Sequence, residues 1–326
     1  MIDLKKRILA NNKEDLAEIE TQLAENLKPY LNLVSEVAHH ILFAGGKRLR
    51  PLLLVLAAKI CGYTEIYAKK VASAMEYLHA ATLLHDDVID DAILRRGKTV
   101  AHSVYGNAIT ILVGDFLLSR ALAICADSGK IEVMRIVADL TEHMSTGEVH
   151  QLMRKGDVSL SEDEYMEVIR RKTAVLFQAA CKVSAVIAEA TPEKERALSD
   201  YGYNLGLAFQ MVDDLFDYTK DTAALGKEVG ADLREGKLTL PIIQALKEAD
   251  STEHDQMVSI IHNNEFSVDE FKTLVALLHK NGGIDYTVNT ATTYIEKAKK
   301  ALSVFEPSNY RDSLFDIADY ALARRL

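Results

Sequence analysis

The sequence has no tryptophan and only five prolines and sixteen glycines in 326 residues. With so few helix breakers, and with Ala, Leu, Glu, Lys and Ile abundant, helix is favoured nearly throughout. Cysteine is also scarce: Cys61, Cys125 and Cys181 lie far apart and form no Cys-x-x-Cys pair. That pattern argues against a disulfide framework or a thiol metal site and predicts buried reduced thiols. Positive charge is in deficit, 38 Lys and Arg against 48 Asp and Glu, so the net charge is −10. Generic nucleic-acid binding is disfavoured, and an anionic ligand must meet a local basic cluster. Met1 to Arg7 lacks the apolar core of a signal peptide. Apolar runs such as Leu52 to Ala58 are too short to span a bilayer. A soluble cytoplasmic protein is the expectation. There is no Gly-x-Ser-x-Gly, Walker loop, His-Glu-x-x-His or EF-hand spacing. No linker, low-complexity tract or strand-like alternation is visible either.

Two aspartate runs dominate what is present. The first is Leu83-Leu84-His85-Asp86-Asp87-Val88-Ile89-Asp90-Asp91, followed at once by Arg95-Arg96-Gly97. On a helix, Asp86 and Asp90 are four apart and Asp87 and Asp90 three apart, so they are predicted to share a face. Carboxylates so close repel unless a cation lies among them. All-oxygen donors suit Mg²⁺, and the arginines suit an anionic co-ligand such as phosphate. The second run, Phe209-Gln210-Met211-Val212-Asp213-Asp214-Leu215-Phe216-Asp217, repeats the Asp-Asp-x-x-Asp spacing. Apolar flanks place both runs on a cavity wall. Facing each other, they would hold a cluster of Mg²⁺ ions and make a diphosphate a good leaving group. That requirement argues for one domain.

Taken in order, residues 1–28 read as an amphipathic surface helix. A helix from Tyr30 to Phe43 stops at Gly45-Gly46, and Lys47-Arg48-Leu49-Arg50-Pro51 opens the next as a candidate phosphate site. Helices are expected over Tyr67 to Asp91, from Asn107, and over Ile131 to Met153, with a loop from Gly97 to Tyr105. His79 lies about two turns from Asp86, roughly 10 Å, and could reach a phosphate there. His85 and Asp115 read as packing residues. Ser161-Glu162-Asp163-Glu164 and Ser267-Val268-Asp269-Glu270 are capping boxes. Lys172-Thr173 sits mid-helix, and Gly226 to Lys237 is a basic loop. Lys47, Arg48, Arg50, Arg95, Arg96, Lys172, Lys227 and Lys237 exceed the needs of one diphosphate, which suggests two anionic substrates.

At these residues the sequence resembles the trans-isoprenyl diphosphate synthases (polyprenyl synthetases). The motifs GGKRLRP, LLHDDVIDDAILRRG, Lys172-Thr173, FQMVDDLFD and GKEVGADLREGK occur in family order between about residues 40 and 245. The resemblance implies an all-α, single-domain helical bundle around a large central cavity (the isoprenoid synthase fold), with 1–326 as one catalytic domain. It implies head-to-tail condensation of isopentenyl diphosphate with an allylic diphosphate, with two or three Mg²⁺ ions, in a homodimer. By the same resemblance, Asp86, Asp87 and Asp90 form the first metal site, and Asp213, Asp214 and Asp217 the second. Arg95 grips the allylic diphosphate. Lys47, Arg50, His79 and Arg96 hold isopentenyl diphosphate. Lys172, Thr173, Gln210, Lys227 and Lys237 touch the allylic phosphates and the transition state.

Short-chain relatives place bulky aromatics just before the first aspartate, whereas Ala81 and Thr82 stand here. That resembles the medium- and long-chain synthases, with octaprenyl the favoured product, farnesyl diphosphate the primer, and hand-over to membrane enzymes. Tyr77, with Met134, Val137, Leu140 and Met144, is a candidate for the pocket floor. The alternatives are a short-chain farnesyl or geranylgeranyl synthase and the catalytic subunit of a heteromeric synthase. A cyclase, which ionises a single diphosphate, is disfavoured by the Gly45 to Arg50 turn.

Overall fold

Helices begin and end at local signals throughout the computed structural model, which describes residues 2–29, 31–46, 48–95, 97–219, 230–263 and 265–323. The N-terminal amphipathic stretch is two helices, α1 (Ile2–Asn11) and α2 (Lys13–Leu27). They break at Asn12, whose side-chain amide donates to the Ile8 carbonyl at 2.8 Å. Next come α3 (Asn32–Leu42), α4 (Leu49–Ile60) and α5 (Ile66–Ile89). Leu94–Arg95 (β1) and Lys98–Thr99 (β2) pair as a small antiparallel hairpin, and α6 (Ala101–Tyr105) follows. A loop was expected there. Gly97, at φ +75°, allows the tight turn.

Helices α7 (Asn107–Ala126), α8 (Ile131–Met153) and α9 (Glu162–Ile169) follow. The helix then widens into a π turn over Arg170–Ala174 before α10 (Val175–Ile187). The long α11 (Pro192–Thr219) carries the second aspartate run. Helices Leu240–Glu248, Ser251–Ile261, Val268–Lys280, Gly283–Ala301 and Asn309–Ala323 complete the bundle. Both capping boxes form: the Ser161 and Ser267 hydroxyls accept from the Glu164 and Glu270 amides, whose carboxylates accept in return.

The result is an all-α, single-domain bundle with one continuous apolar core running from Ile8 to Ala321. Its centre is α4, whose stretch from Leu52 to Ala58 is apolar on every side and therefore buried on every side. Leu52, Leu53, Leu54 and Leu56 are fully buried, each worth about 1.5–3 kcal/mol. Cys125 and Cys181 are buried as expected, and burial pushes their thiols up to about 12; Cys61 is only partly buried, with its thiol pushed up to about 11.

One helix, α7, is long and apolar enough to cross a membrane by length and composition, contrary to the estimate from contiguous apolar runs. Asp115 and Arg120 interrupt its runs without making the helix polar. One face of it packs, with Leu117, Ala121 and Ile124 buried. The other exposes Ile111 and Leu112, at 41% and 66%. Between α5, α8, the π turn, α11 and the Gly45–Arg50 turn lies a cavity of about 860 Å³.

Candidate active site

The first aspartate run straddles a helix end. α5 stops at Ile89, the Asp90 amide donates to the Asp86 carbonyl at 2.8 Å, and Asp91 adopts φ +47°. The three carboxylates therefore diverge instead of sharing one face. Asp86 lines the cavity. Asp87 is buried at 1% exposure and accepts from Arg95 Nε at 2.7 Å and Nη2 at 2.6 Å. Asp90 turns to two lysines, Lys155 Nζ at 3.1 Å and Lys237 Nζ at 3.0 Å. Burial would raise the Asp90 pKa, but the Lys237 charge and hydrogen bonds from both lysines outweigh it and hold the carboxyl low. Lys237 is also paired with Glu235. Burial lowers its pKa, and the Glu235 and Asp90 charges push it up by more.

The second run diverges differently. Asp213 lines the large cavity. Asp214 faces inward, accepting from Tyr165 OH at 2.6 Å and Gln210 Nε2 at 2.7 Å. The Thr173 hydroxyl donates to Gln210 Oε1 at 2.7 Å, so a hydrogen-bonded chain joins the π turn to the second run. Asp217 accepts from the Ala231 and Asp232 amides, each at 3.1 Å, and caps the turn Ala231–Arg234. Asp214, Tyr165, Asp232 and Lys237 border a smaller adjoining cavity of about 140 Å³.

The π turn brings Lys172 to the cavity wall, where its ammonium meets Glu148, Gln151 and Asp86. A widened turn lets consecutive side chains project where a regular helix would turn them away. Close packing needs Gly206 on α11, because a Cβ there would lie 2.5 Å from Ala174 Cα.

Among the cations, Arg50 lines the cavity with its guanidinium 4.7 Å from the Phe177 ring centre and 5.8 Å from that of Phe209. His79 and Thr82 are also on the wall. Arg48 also borders the cavity, but its charge is committed to carboxylates. In left-handed backbone at φ +48°, it donates to Glu20 at 2.6 Å, Glu76 at 2.8 Å and the Leu42 carbonyl at 2.7 Å. It anchors the turn, its buried charge balanced by two carboxylates. Lys47, Arg96 and Lys227 lie outside the described residues.

Tyr77 does not line the cavity. It is fully buried and its hydroxyl donates to the Leu23 carbonyl of α2 at 2.5 Å. Ala81, one turn on, is buried at 3% and is likewise off the cavity wall. Helical phase puts both on the stripe of α5 that packs into the core. Val137 and Leu140 are core residues too, whereas Met144 does line the cavity. His85 packs over Gly114, with Nε2 3.1 Å from the Ile111 carbonyl and 3.6 Å from Asp115. It also touches the cavity wall. The Asp115 side chain is 57% exposed.

Glu148, Gln151, Lys155 and Tyr165 escaped the sequence reading. For Glu148 a signal existed: it lies four residues after Met144, on the face of α8 that carries other candidate wall residues. For Lys155, just past the end of α8, there was none.

Among the described residues, no three Asp, Glu, His or Cys side chains converge as a ready-made metal site. Arg95 occupies Asp87, and Lys155 and Lys237 occupy Asp90. The donor set still fits a hard divalent cation. Burial pushes Asp86 up to about 6, with Lys172 opposing and Glu148 adding to the shift. Burial, followed by the Asp232 charge, pushes Asp214 up to about 7 against the Tyr165 and Gln210 hydrogen bonds. Oxygen donors short of positive charge are what such an ion would relieve.

The polyprenyl synthetase family profile matches residues 31–278. The chain belongs to the polyprenyl synthetase family. The octaprenyl diphosphate synthase of Escherichia coli (strain K12) is 38% identical over 311 residues, covering 95% of this chain and 96% of that relative. The all-trans-nonaprenyl-diphosphate synthase (geranyl-diphosphate specific) of Rhodobacter capsulatus is 37% identical over 324 residues, covering 99% of both. A solved polyprenyl synthase from Caulobacter crescentus CB15, complexed with calcium and isoprenyl diphosphate, is 40% identical with a TM-score of 0.93. That match covers 99% of this chain and 98% of the other. This polyprenyl synthetase is therefore a transferase of the prenyltransferase class, related to medium- and long-chain synthases, and its reaction is the family's magnesium-dependent condensation.

Proposed function

We propose that the whole chain, 1–326, is one catalytic domain that condenses isopentenyl diphosphate with an allylic primer, farnesyl diphosphate, into a medium- or long-chain all-trans polyprenyl diphosphate. Octaprenyl is the favoured product. The observation that carries this reading is the large cavity itself. Asp86 and Asp213, from two separate aspartate runs, line it together with Arg50, His79 and Lys172, while Leu83, Met144, Leu176 and Phe209 supply apolar wall.

Asp86, Asp87, Asp90, Asp213, Asp214 and Asp217 would hold two or three Mg²⁺ ions, which when bound supply the charge that makes diphosphate a leaving group. Arg50 and His79, with Lys47 and Arg96, orient isopentenyl diphosphate. Arg95, Lys172, Lys227 and Lys237 hold the allylic diphosphate, and Thr173 and Gln210 steady the adjoining wall. The apolar lining excludes water from the allylic cation, which would otherwise be hydrolysed. The final proton leaves with the departing diphosphate, consistent with the absence of a dedicated base in the sequence.

Small residues at Ala81 and Thr82 support a long product. Ala81 packs just behind the cavity wall, so a tail longer than the cavity would have to displace the stripe of α5 that carries Ala81 and Tyr77. Purified protein incubated with Mg²⁺, farnesyl diphosphate and radiolabelled isopentenyl diphosphate should give an octaprenyl product by chromatography. Ala81→Phe should shorten it to the geranylgeranyl stage, or leave the farnesyl primer unextended. An unchanged length in that variant would remove Ala81 from the tail's path.

The exposed Ile111 and Leu112 face of α7 supports a homodimer. Leu112→Arg should shift sedimentation to a monomer. Activity that requires a second polypeptide would favour the heteromeric alternative instead. Free thiols at Cys61, Cys125 and Cys181 support a cytoplasmic location, with product passed to membrane enzymes. Cell fractionation tests it.

A further inference from the structure

Helix α8 approaches the π turn so closely that a side chain on Gly147 would collide. A Cβ there would lie 2.7 Å from Arg171 Cβ and 3.0 Å from the Lys172 amide nitrogen. This approach sets the next residue, Glu148, beside Lys172. Glu148 Oε2 is 2.5 Å from Lys172 Nζ. Gln151, three residues on and on the same face, accepts from that ammonium at 2.8 Å. A third group, Asp86 Oδ2, is 3.9 Å away. Two carboxylates therefore compete for one ammonium. At equal screening, the nearer one attracts it about one and a half times as strongly. The other Glu148 oxygen, Oε1, is buried and has no hydrogen-bond partner among the described residues. The Glu148 side chain is only 13% exposed and lies on the wall of the large cavity.

We infer that Glu148 is a positioning residue: it holds the Lys172 ammonium off Asp86, so that Asp86 stays open to a divalent cation and Lys172 faces the allylic diphosphate. Without the Glu148 carboxylate, the nearest anion to Lys172 is Asp86. Rotation of the flexible lysine stem would close that gap into a direct ion pair, and the ammonium would then occupy the carboxylate the metal needs. Glu148 thus governs metal affinity without itself being a ligand, as partners in an outer shell do. The inference rests on the prenyltransferase reading for its second half, the allylic diphosphate. The first half concerns only the substrate-free protein.

The test separates the two. Mn²⁺ binding to substrate-free protein is measured by electron paramagnetic resonance. Glu148→Gln should weaken it about tenfold to a hundredfold. Glu148→Asp keeps the charge but falls one methylene short of Lys172, so it should weaken binding almost as much. Lys172→Met alone should not weaken it, and Glu148→Gln with Lys172→Met should return it to the wild-type value. In turnover, Glu148→Gln should lower kcat with KM for isopentenyl diphosphate unchanged. Wild-type metal affinity in Glu148→Asp would mean that charge alone acts, and would overturn the inference. So would additive losses in the double variant, or weakened binding in Lys172→Met, a variant that leaves Glu148 itself intact. If the metal cycle holds while no prenyl transfer is detected, the assigned reaction fails and the positioning role stands.

Discussion

The two aspartate runs have the same spacing and different fates. The first ends its helix, so α5 stops between Asp87 and Asp90, and the third carboxylate swings to Lys155 and Lys237. The second lies inside α11, which continues to Thr219, and its third carboxylate caps the turn at Ala231 and Asp232. The middle residues differ as well. Asp87 is neutralised by a charged partner, Arg95, whereas among the described residues Asp214 accepts from two neutral donors, Tyr165 and Gln210. Each run offers one carboxylate, Asp86 or Asp213, to the large cavity. Charged partners thus fix Asp87 and Asp90 of the first run, while hydrogen bonds hold Asp214 and cap a turn through Asp217 in the second.

The largest expected effects fall on the two cavity carboxylates. Asp86→Ala or Asp213→Ala should lower kcat by at least about a thousandfold, with the helical circular dichroism spectrum retained. Asp217→Ala should cost less, about tenfold to a hundredfold, because its carboxylate also serves as a cap. Equal losses at Asp213 and Asp217 would erase the distinction drawn between them.

Next is the pH dependence of metal stabilisation. Asp86 and Asp214, raised to about 6 and about 7, bind protons more tightly folded than unfolded. In the metal-free protein their contribution to stability is therefore greatest below the unfolded carboxyl range, near pH 4, and is lost as pH rises through 6 and 7. A bound cation favours the ionised forms and reverses that loss. The rise in melting temperature on adding Mg²⁺ should be larger at pH 8 than at pH 6, and a shift independent of pH would argue that neither group meets the metal.

Smaller still is Tyr165→Phe. It removes one donor from buried Asp214 and should lower unfolding free energy by about 1.5–3 kcal/mol, as read by urea denaturation. It should also make Asp214 harder to ionise. The smallest effect is expected for Lys155→Met. Lys155 is a partly exposed partner of Asp90, and Lys237 remains in place. The stability change should be about 0–1 kcal/mol, and a larger one would show that the first run depends on both lysines.

Much of the fold was legible because helix signals are local. The capping boxes at Ser161 and Ser267, the start at Pro192 and the stop near Gly45-Gly46 depend on residues within one turn of each other. The site was legible as a set of residue types. What could not be read was the partner of each. The Arg48 side chain is as cationic in sequence as that of Arg50, yet Glu20 and Glu76 claim it. Tyr77 was expected at a pocket floor, but helical phase turns it to α2. The π turn at Arg170–Ala174 has no sequence signature of its own. It arises where Gly147 and Gly206 admit α8 and α11 close on either side.

By itself, then, the sequence determined an all-α chain with two acidic, oxygen-only runs on apolar helices and enough cations for two anionic ligands. Those follow from composition and from spacings of three and four residues, which any helix converts into neighbours. Only the tertiary structure decided which carboxylate faces the cavity, which is neutralised and which caps a turn. That choice depends on where α5 ends and how far each lysine reaches. It depends also on how closely two glycines let α8 and α11 approach the π turn that carries Lys172.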